Sequence, residues 1–163
     1  MGDTAKVYLG PAKVSFGKSD PAVFDLTKGV TLTFSQSTHP VTVDQYGEQP
    51  IKEIVTGQEF AVEVAIAESD FAKITKVIPG SIYEPADKKL SIRNAVGIDL
   101  LSIADQLTIE PNVEGAFDTI TVLKAAPRPN VSRSFTTTGE QVYTVTFTAY
   151  PDGDGEIADF TNV

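Results

Sequence analysis

Ile51-Lys-Glu-Ile-Val-Thr-Gly-Gln-Glu-Phe-Ala-Val-Glu-Val-Ala-Ile-Ala-Glu68 is the stretch whose alternation decides the fold class. From Glu59 on, Phe60, Val62, Val64 and Ile66 share one parity, while Glu59, Ala61, Glu63, Ala65 and Ala67 share the other. Period two sends successive side chains to opposite faces of a strand, here one apolar face and one small or acidic face. Upstream, Val41 and Val43 alternate with Thr42 and Asp44, and Tyr46-Gly-Glu-Gln-Pro50 supplies the Gly and Pro of a chain reversal. The expectation is a long hairpin over 41–68 with an acidic loop. Downstream, Ser69 is placed to cap a helix over 69–78, in which Phe71, Ile74, Val77 and Ile78 fall at helical spacings until Pro79-Gly80 ends it.

Working outward toward the N-terminus, 5–9 and 13–16 read as short strands around Gly10-Pro11, and 23–26 as an edge strand. Val30, Leu32 and Phe34 alternate with Thr31, Thr33 and Ser35, another strand with one hydroxyl-bearing face, and 35–40 reads as a polar connection. Toward the C-terminus, Leu90 and Ile92 fit a short strand, and 97–106 is either a helical turn or an irregular loop. Residues 107–110 precede Pro111 and read as an edge strand. Strands are expected at 119–125 and 141–150, with a Pro- and Arg-bearing loop over 127–134. In 141–150, Tyr143, Val145, Phe147 and Ala149 oppose Thr144, Thr146 and Thr148, and Pro151 stops the strand. That leaves an N-terminal arm over 1–12 and an exposed or partner-dependent tail over 152–163. About eight strands and one helix make a mainly β fold, a β-sandwich or barrel with one flanking α-helix and a long hairpin, in a single domain over 1–163.

A chain of 163 residues suits one domain with a real core. It has no cysteine, so disulfides and thiolate metal sites are excluded. No run of eighteen apolar residues occurs, so no spanning helix and no membrane partner are expected. The first residues lack the apolar stretch of a secretory signal, which makes synthesis and assembly in a host cytoplasm the expectation. A net charge of -9 disfavours sequence-independent grip on a phosphate backbone. The charge is uneven: between 44 and 70 there are seven acids and one base, Lys52, whereas Lys73, Lys76, Lys88, Lys89 and Arg93 make the middle basic. Such regions either meet between copies of the chain or are solvated faces.

Signs of catalysis are missing. His39 has no second imidazole to work with, and the carboxylates sit beside no candidate nucleophile. Asp152-Gly-Asp-Gly-Glu156 lacks the further ligands and the glycine of a calcium loop, and reads as an exposed acidic turn. No enzyme activity, metal or cofactor is therefore expected.

Several stretches, in order, carry a likeness. They are Lys28-Gly-Val-Thr-Leu-Thr-Phe34, Val41-Thr-Val-Asp-Gln-Tyr-Gly-Glu-Gln-Pro-Ile51, Thr56-Gly-Gln-Glu-Phe-Ala-Val-Glu-Val-Ala-Ile-Ala-Glu68 and Ile78-Pro-Gly80. Leu107-Thr-Ile-Glu-Pro111, Val122-Leu-Lys-Ala-Ala-Pro127 and Val145-Thr-Phe-Thr-Ala-Tyr-Pro-Asp152 follow. In joint order and spacing the chain resembles, over roughly 5–155, the major tail tube proteins of long-tailed, siphovirus-like bacteriophages. The resemblance implies six-membered rings stacked into a hollow tube of the virion tail, with strands of all subunits joined in one inner barrel. It implies a tape-measure protein in the lumen during assembly, tail terminator and tail-tip proteins at the ends, and genomic DNA passing through without specific binding. Carried over, the lumen strands lie near 29–36, 40–68, 119–125 and 141–150, with Thr31, Thr33, Glu59, Glu63, Thr144, Thr146 and Thr148 facing the lumen. The loop residues Asp44, Gln45, Tyr46, Glu48, Gln49, Lys52 and Glu53 would make contacts between rings.

An acidic or hydroxylated wall has a physical reason, since every Lys or Arg on it would hold a passing phosphate. Glu59 and Glu63 are four strand residues apart, about 13 Å, and two charges at that distance in water repel by only about 0.3 kcal/mol. Without the resemblance, the same two residues are solvated groups on an open sheet face, and the loop is a hairpin turn or a contact surface. The competing functions are a carbohydrate- or protein-binding β-sandwich, such as a decoration or adhesion module, and the inner tube of a contractile injection system.

Overall fold

The alternation at 60–66 forms the centre of a large antiparallel sheet. The computed structural model describes residues 10–113, 118–131, 138–139 and 141–162, so the expected strand at 5–9 lies outside the described residues. The described strands are β1 (Ala12–Phe16), β2 (Ala22–Phe24), β3 (Thr27–Val41), β4 (Lys52–Ile66), β5 (Ser81–Glu84), β6 (Lys89–Ile92), β7 (Asp105–Pro111), β8 (Thr119–Asn130), β9 (Tyr143–Ala149) and β10 (Ala158–Thr161). One α-helix, α1 (Phe71–Val77), follows β4. The main sheet runs β2-β1-β7-β8-β9-β4-β3, β10 pairs with β8 off this path, and β5 and β6 form a hairpin apart from it. The fold is mainly β with one helix, as the periodicity requires.

This sheet rolls over on itself. Phe16 on β1 meets Phe147 on β9, with ring centroids 5.1 Å apart, although β7 and β8 separate the two strands in the sheet. At the seam, the Thr27 hydroxyl at the start of β3 donates to the Ala12 carbonyl at 2.7 Å. Between the two layers lie the apolar parities of the strands: Val14 and Phe16, Val62, Val64 and Ile66, Leu107 and Ile109, Tyr143, Val145 and Phe147 are all buried. Each such side chain contributes about 1.5–3 kcal/mol on leaving water. Ile74 and Val77 bring α1 onto the same core.

Several boundaries differ from those read in the sequence, each for a physical reason. The long hairpin does not begin at 41: its first strand is the whole of β3, so 35–40 is strand and only 42–51 turns, with Asp44–Tyr46 as a 3-10 turn. Pairing with 52–59 overrides the polar composition of 35–40, which has no core to cover. Asp70, not Ser69, caps α1, its carboxylate accepting from the Ala72 N–H at 3.0 Å. The turn in 97–106 is a 3-10 turn at Leu100–Ile103, capped in the same way by Asp99. β7 is an inner strand between β1 and β8; Pro111 is tolerated because it pairs only with Ala12, beyond the last β8 partner at Ile109.

Residues 127–130 continue β8 instead of forming a loop. The Tyr150 N–H donates to the Lys124 carbonyl, so even-numbered residues of this part of β8 turn their backbone groups toward β9. Pro127 and Pro129 therefore direct their donorless nitrogens away from β9, past Asp105, the first residue of β7 and its pairing limit on β8. The described part of the tail is docked: Ala158–Thr161 pairs with 119–122, and the Leu123 N–H donates to the Ile157 carbonyl at 3.1 Å. Ala12, assigned to the N-terminal arm from sequence, is the first residue of β1.

Candidate functional site

Strand register gathers the hydroxyl and carboxylate side chains onto one face. Thr31 lies opposite Glu63, Glu63 opposite Thr146 and Thr146 opposite Arg128, forming a single row across β3, β4, β9 and β8. The next row toward the hairpin tip is Thr33, Ala61, Thr148 and Ala126, and the next toward the base joins Ala65, Thr144 and Asn130. Ser35 stands opposite Glu59 further along β3–β4. All seven residues expected on the polar face are thus on it. Thr31, Thr33, Glu59 and Glu63 are exposed, and Thr144, Thr146 and Thr148 are half-buried.

Arg128 is the residue that reading by stretches misses, because a Pro-Arg-Pro run suggests a loop. The usable signal was parity: Pro127 and Pro129 share one side of an edge, leaving Arg128 and Asn130 together on the other. The Arg128 guanidinium donates to the Tyr150 hydroxyl at 3.4 Å. Its backbone is two strands from Glu63, about 10 Å at ordinary strand spacing.

The second feature is the overhang of the hairpin. Phe60 is the last buried residue of β4 toward the tip, and 51–59 is exposed throughout, as is 33–40 on β3. From Phe60 to Lys52 the strand projects about 26 Å beyond the core. Register shifts between Ser37 and Thr38, which face Gly57 and Val55, leaving Thr56 as an extra residue on β4. The shift exchanges the faces of β4, so Val55 continues the Phe60 side and Ile54 joins His39 on the polar side.

At the tip, Asp44, Gln45, Tyr46, Glu48 and Gln49 are all exposed, Tyr46 at 68% of its surface. Lys52 and Glu53, expected in this loop, are strand residues opposite Val41 and Pro40. Gly47 sits at φ 65, a left-handed conformation that favours glycine, and the Ile51 N–H donates to the Val41 carbonyl at 2.9 Å to close the turn.

A third feature contradicts one expectation. Phe34 has the parity of the core yet is 55% exposed, because it lies on the overhang. With Leu32, Phe60, Ile157, Ala158 and the 58% exposed Phe160 it lines an open groove of about 470 Å³. Phe60 holds the two exposed rings together, at 6.4 Å from Phe34 and 6.5 Å from Phe160.

Among the described residues no group of three or more His, Asp or Glu side chains is arranged to hold a metal ion, and no helix is long and apolar enough to cross a membrane. Asp152 spends its carboxylate on its own turn: one oxygen accepts from the Glu156 and Asp154 N–H groups, both at 2.9 Å, and these bonds hold its pKa below the ordinary 3.8.

No protein-family model matches the chain, and no curated protein matches it. Among solved structures it is similar to a chain of an extracellular contractile injection system, the PVC sheath–tube complex in its extended state. That match is 13% identical, covers 100% of both chains and has a TM-score of 0.49. A chain of the anti-feeding prophage (AFP) baseplate matches at 12% identity over 99% of this chain and 95% of its own, with a TM-score of 0.37. Both scores fall below one half, so the functional reading rests on the chain's own geometry.

Proposed function

We propose that this chain is the structural subunit of a phage-tail-type tube, in which rings of six copies stack and the polar face of β3, β4 and β9 lines an aqueous bore. The observation that carries the reading is the β3–β4 hairpin. Two 15-residue strands are held in a sheet although only their inner parts cover a core, and β3 ends the sheet with an unpaired edge among the described residues. A long open edge is an aggregation hazard in a monomer and is relieved when neighbouring copies pair around a closed ring. The rows of Thr, Ala and Glu then give the joined sheet a wet face whose bases lie away from its centre, Lys124 and Arg128 on β8 at the margin and Lys52 near the hairpin tip. In this role the bore holds a tape-measure protein during assembly and later conducts DNA, with terminator and tip proteins at its ends and no catalytic step. The same geometry serves the inner tube of a contractile machine, from which a phage tail tube of the non-contractile kind differs by the lack of a sheath.

Sedimentation and negative-stain microscopy of the purified chain over a range of concentrations test this. Annular or tubular particles with a central channel are expected; compact monomers at every concentration would overturn it.

The Phe34–Phe60–Phe160 groove favours a second reading, a binding module. Its lining is almost wholly apolar, however, and offers a sugar few of the hydrogen-bonding groups such ligands require. Saturable binding on a glycan array by a chain that stays monomeric would establish it over the tube.

A further inference from the structure

Two open cavities meet at Leu32 and make one slot along β3. The first, of about 480 Å³, is lined by Gly10, Val30, Leu32, Ile109 and Ile120, and the second is the groove of about 470 Å³ at Phe34, Phe60 and Phe160. One wall is the apolar parity of β3, namely Val30, Leu32 and Phe34; the other joins Ile120 of β8 to its cross-strand partner Phe160 of β10. Val30, Leu32, Ile120 and Ala158 touch the core on one side and remain only half-buried. The slot is thus a margin of the core whose outer side is open, and it asks for an apolar occupant.

The chain enters β1 at the mouth of this slot. The Thr27 hydroxyl donates to the Ala12 carbonyl at 2.7 Å, the Asn112 N–H donates to the Pro11 carbonyl at 3.1 Å, and Gly10 itself lines the first cavity. Residues 1–9 precede it, and in Ala5-Lys-Val-Tyr-Leu9 one parity is apolar, Ala5, Val7 and Leu9, while Lys6 and Tyr8 carry polar tips on the other. An extended chain has the two-residue repeat of β3, so Leu9, Val7 and Ala5 match the spacing of Val30, Leu32 and Phe34, about 13 Å from first to last.

We propose that residues 1–9 lie extended in the slot of their own copy, antiparallel to β3, with Val7 and Leu9 turned in and Lys6 and Tyr8 turned out. The occupant is the chain's own N-terminus because that segment starts at the mouth and is long enough to reach Phe34. Its local concentration there exceeds that of any separate ligand. The placement stands apart from the tube reading: it completes the core of the free subunit and leaves the polar face of β3 uncovered. It also fills the Phe34–Phe60–Phe160 groove from within.

Disulfide trapping tests the placement, since the chain has no cysteine of its own. Val7→Cys with Leu32→Cys puts both thiols in the slot, whereas Lys6→Cys with Leu32→Cys turns one of them outward. On mild oxidation of dilute protein the first pair is expected to close within one chain about tenfold faster than the second. Ala5→Cys against Lys6→Cys, each with Phe34→Cys, repeats the comparison at the exposed end of the slot without altering Leu32, and thermal melts check folding. Equal rates for the two parities at both positions, or no closure, would overturn the proposal. Covalent dimers from the dilute protein would mean that the slot takes the N-terminus of another copy, and would overturn it too. The readout is made on the free chain, so it does not depend on whether tubes form.

Discussion

Glu63 and Arg128 stand in one cross-strand row, with Thr146 between them. The acid lies on a central strand of the polar face and the base on β8 at its margin. Across that interval of about 10 Å the pair has little Coulombic hold through water. The exposed bases of this face in β8, Arg128 and Lys124, thus sit at its margin, beside the acids Glu59 and Glu63 on β4.

That arrangement makes Glu63→Lys informative. The residue is exposed, so stability should change by no more than about 0.5 kcal/mol and assembly should persist. Tubes of the variant should retain double-stranded DNA in a salt-sensitive manner, as co-sedimentation at rising salt would show. Equal DNA release from variant and unaltered tubes would mean that this face does not border the DNA path.

Removal of the Phe147 ring attacks the seam between the layers. Phe147 is 1% exposed and packs on Phe16, so Phe147→Ala should cost about 3–5 kcal/mol in urea unfolding, whereas Thr31→Ala on the exposed face should cost about 0.5 kcal/mol or less. Similar losses at both positions would contradict the assignment of faces.

The start of α1 gives a finer comparison. Asp70→Ala removes the cap on the Ala72 N–H and should lower stability by about 1 kcal/mol, while Ser69→Ala should be close to neutral. Thermal melts of the two variants check the order, and a larger loss at Ser69 would reverse the capping assignment.

Acid should loosen the C-terminal turn locally. The Glu156 and then the Asp154 N–H lower the Asp152 pKa, so the carboxylate's contribution is present above its ordinary value of 3.8 and is lost as pH falls through the lower folded value. Amide exchange across 157–161 should therefore accelerate relative to the core below about pH 3.8, and Asp152→Ala should show the same acceleration at neutral pH. Exchange that is unaffected by either change would show that the turn does not secure β10.

Much of this architecture is legible in the sequence where one face of a strand is buried. Phe60 to Ile66 and Tyr143 to Phe147 declare their faces by strict alternation, and their polar partners follow automatically. Legibility fails where that constraint lapses. On the overhang both faces meet solvent, so 35–40 shows no amphipathic pattern and its strand character comes from β4 across the ladder. The extra residue at Thr56 exchanges faces without leaving a mark in composition, and Arg128 is hidden between prolines whose effect depends on how far β7 pairs along β8. Ser69 and Asp70 are both good caps; the local path of the chain decides between them.

Cryo-electron microscopy of the assembled chain tests the central claim most directly, by showing which side chains border the bore. The account predicts an annular assembly with Thr31, Glu63 and Thr146 lining the channel; an inner wall formed by the Phe60, Val62 and Phe147 side, or no assembly with a channel, would contradict it.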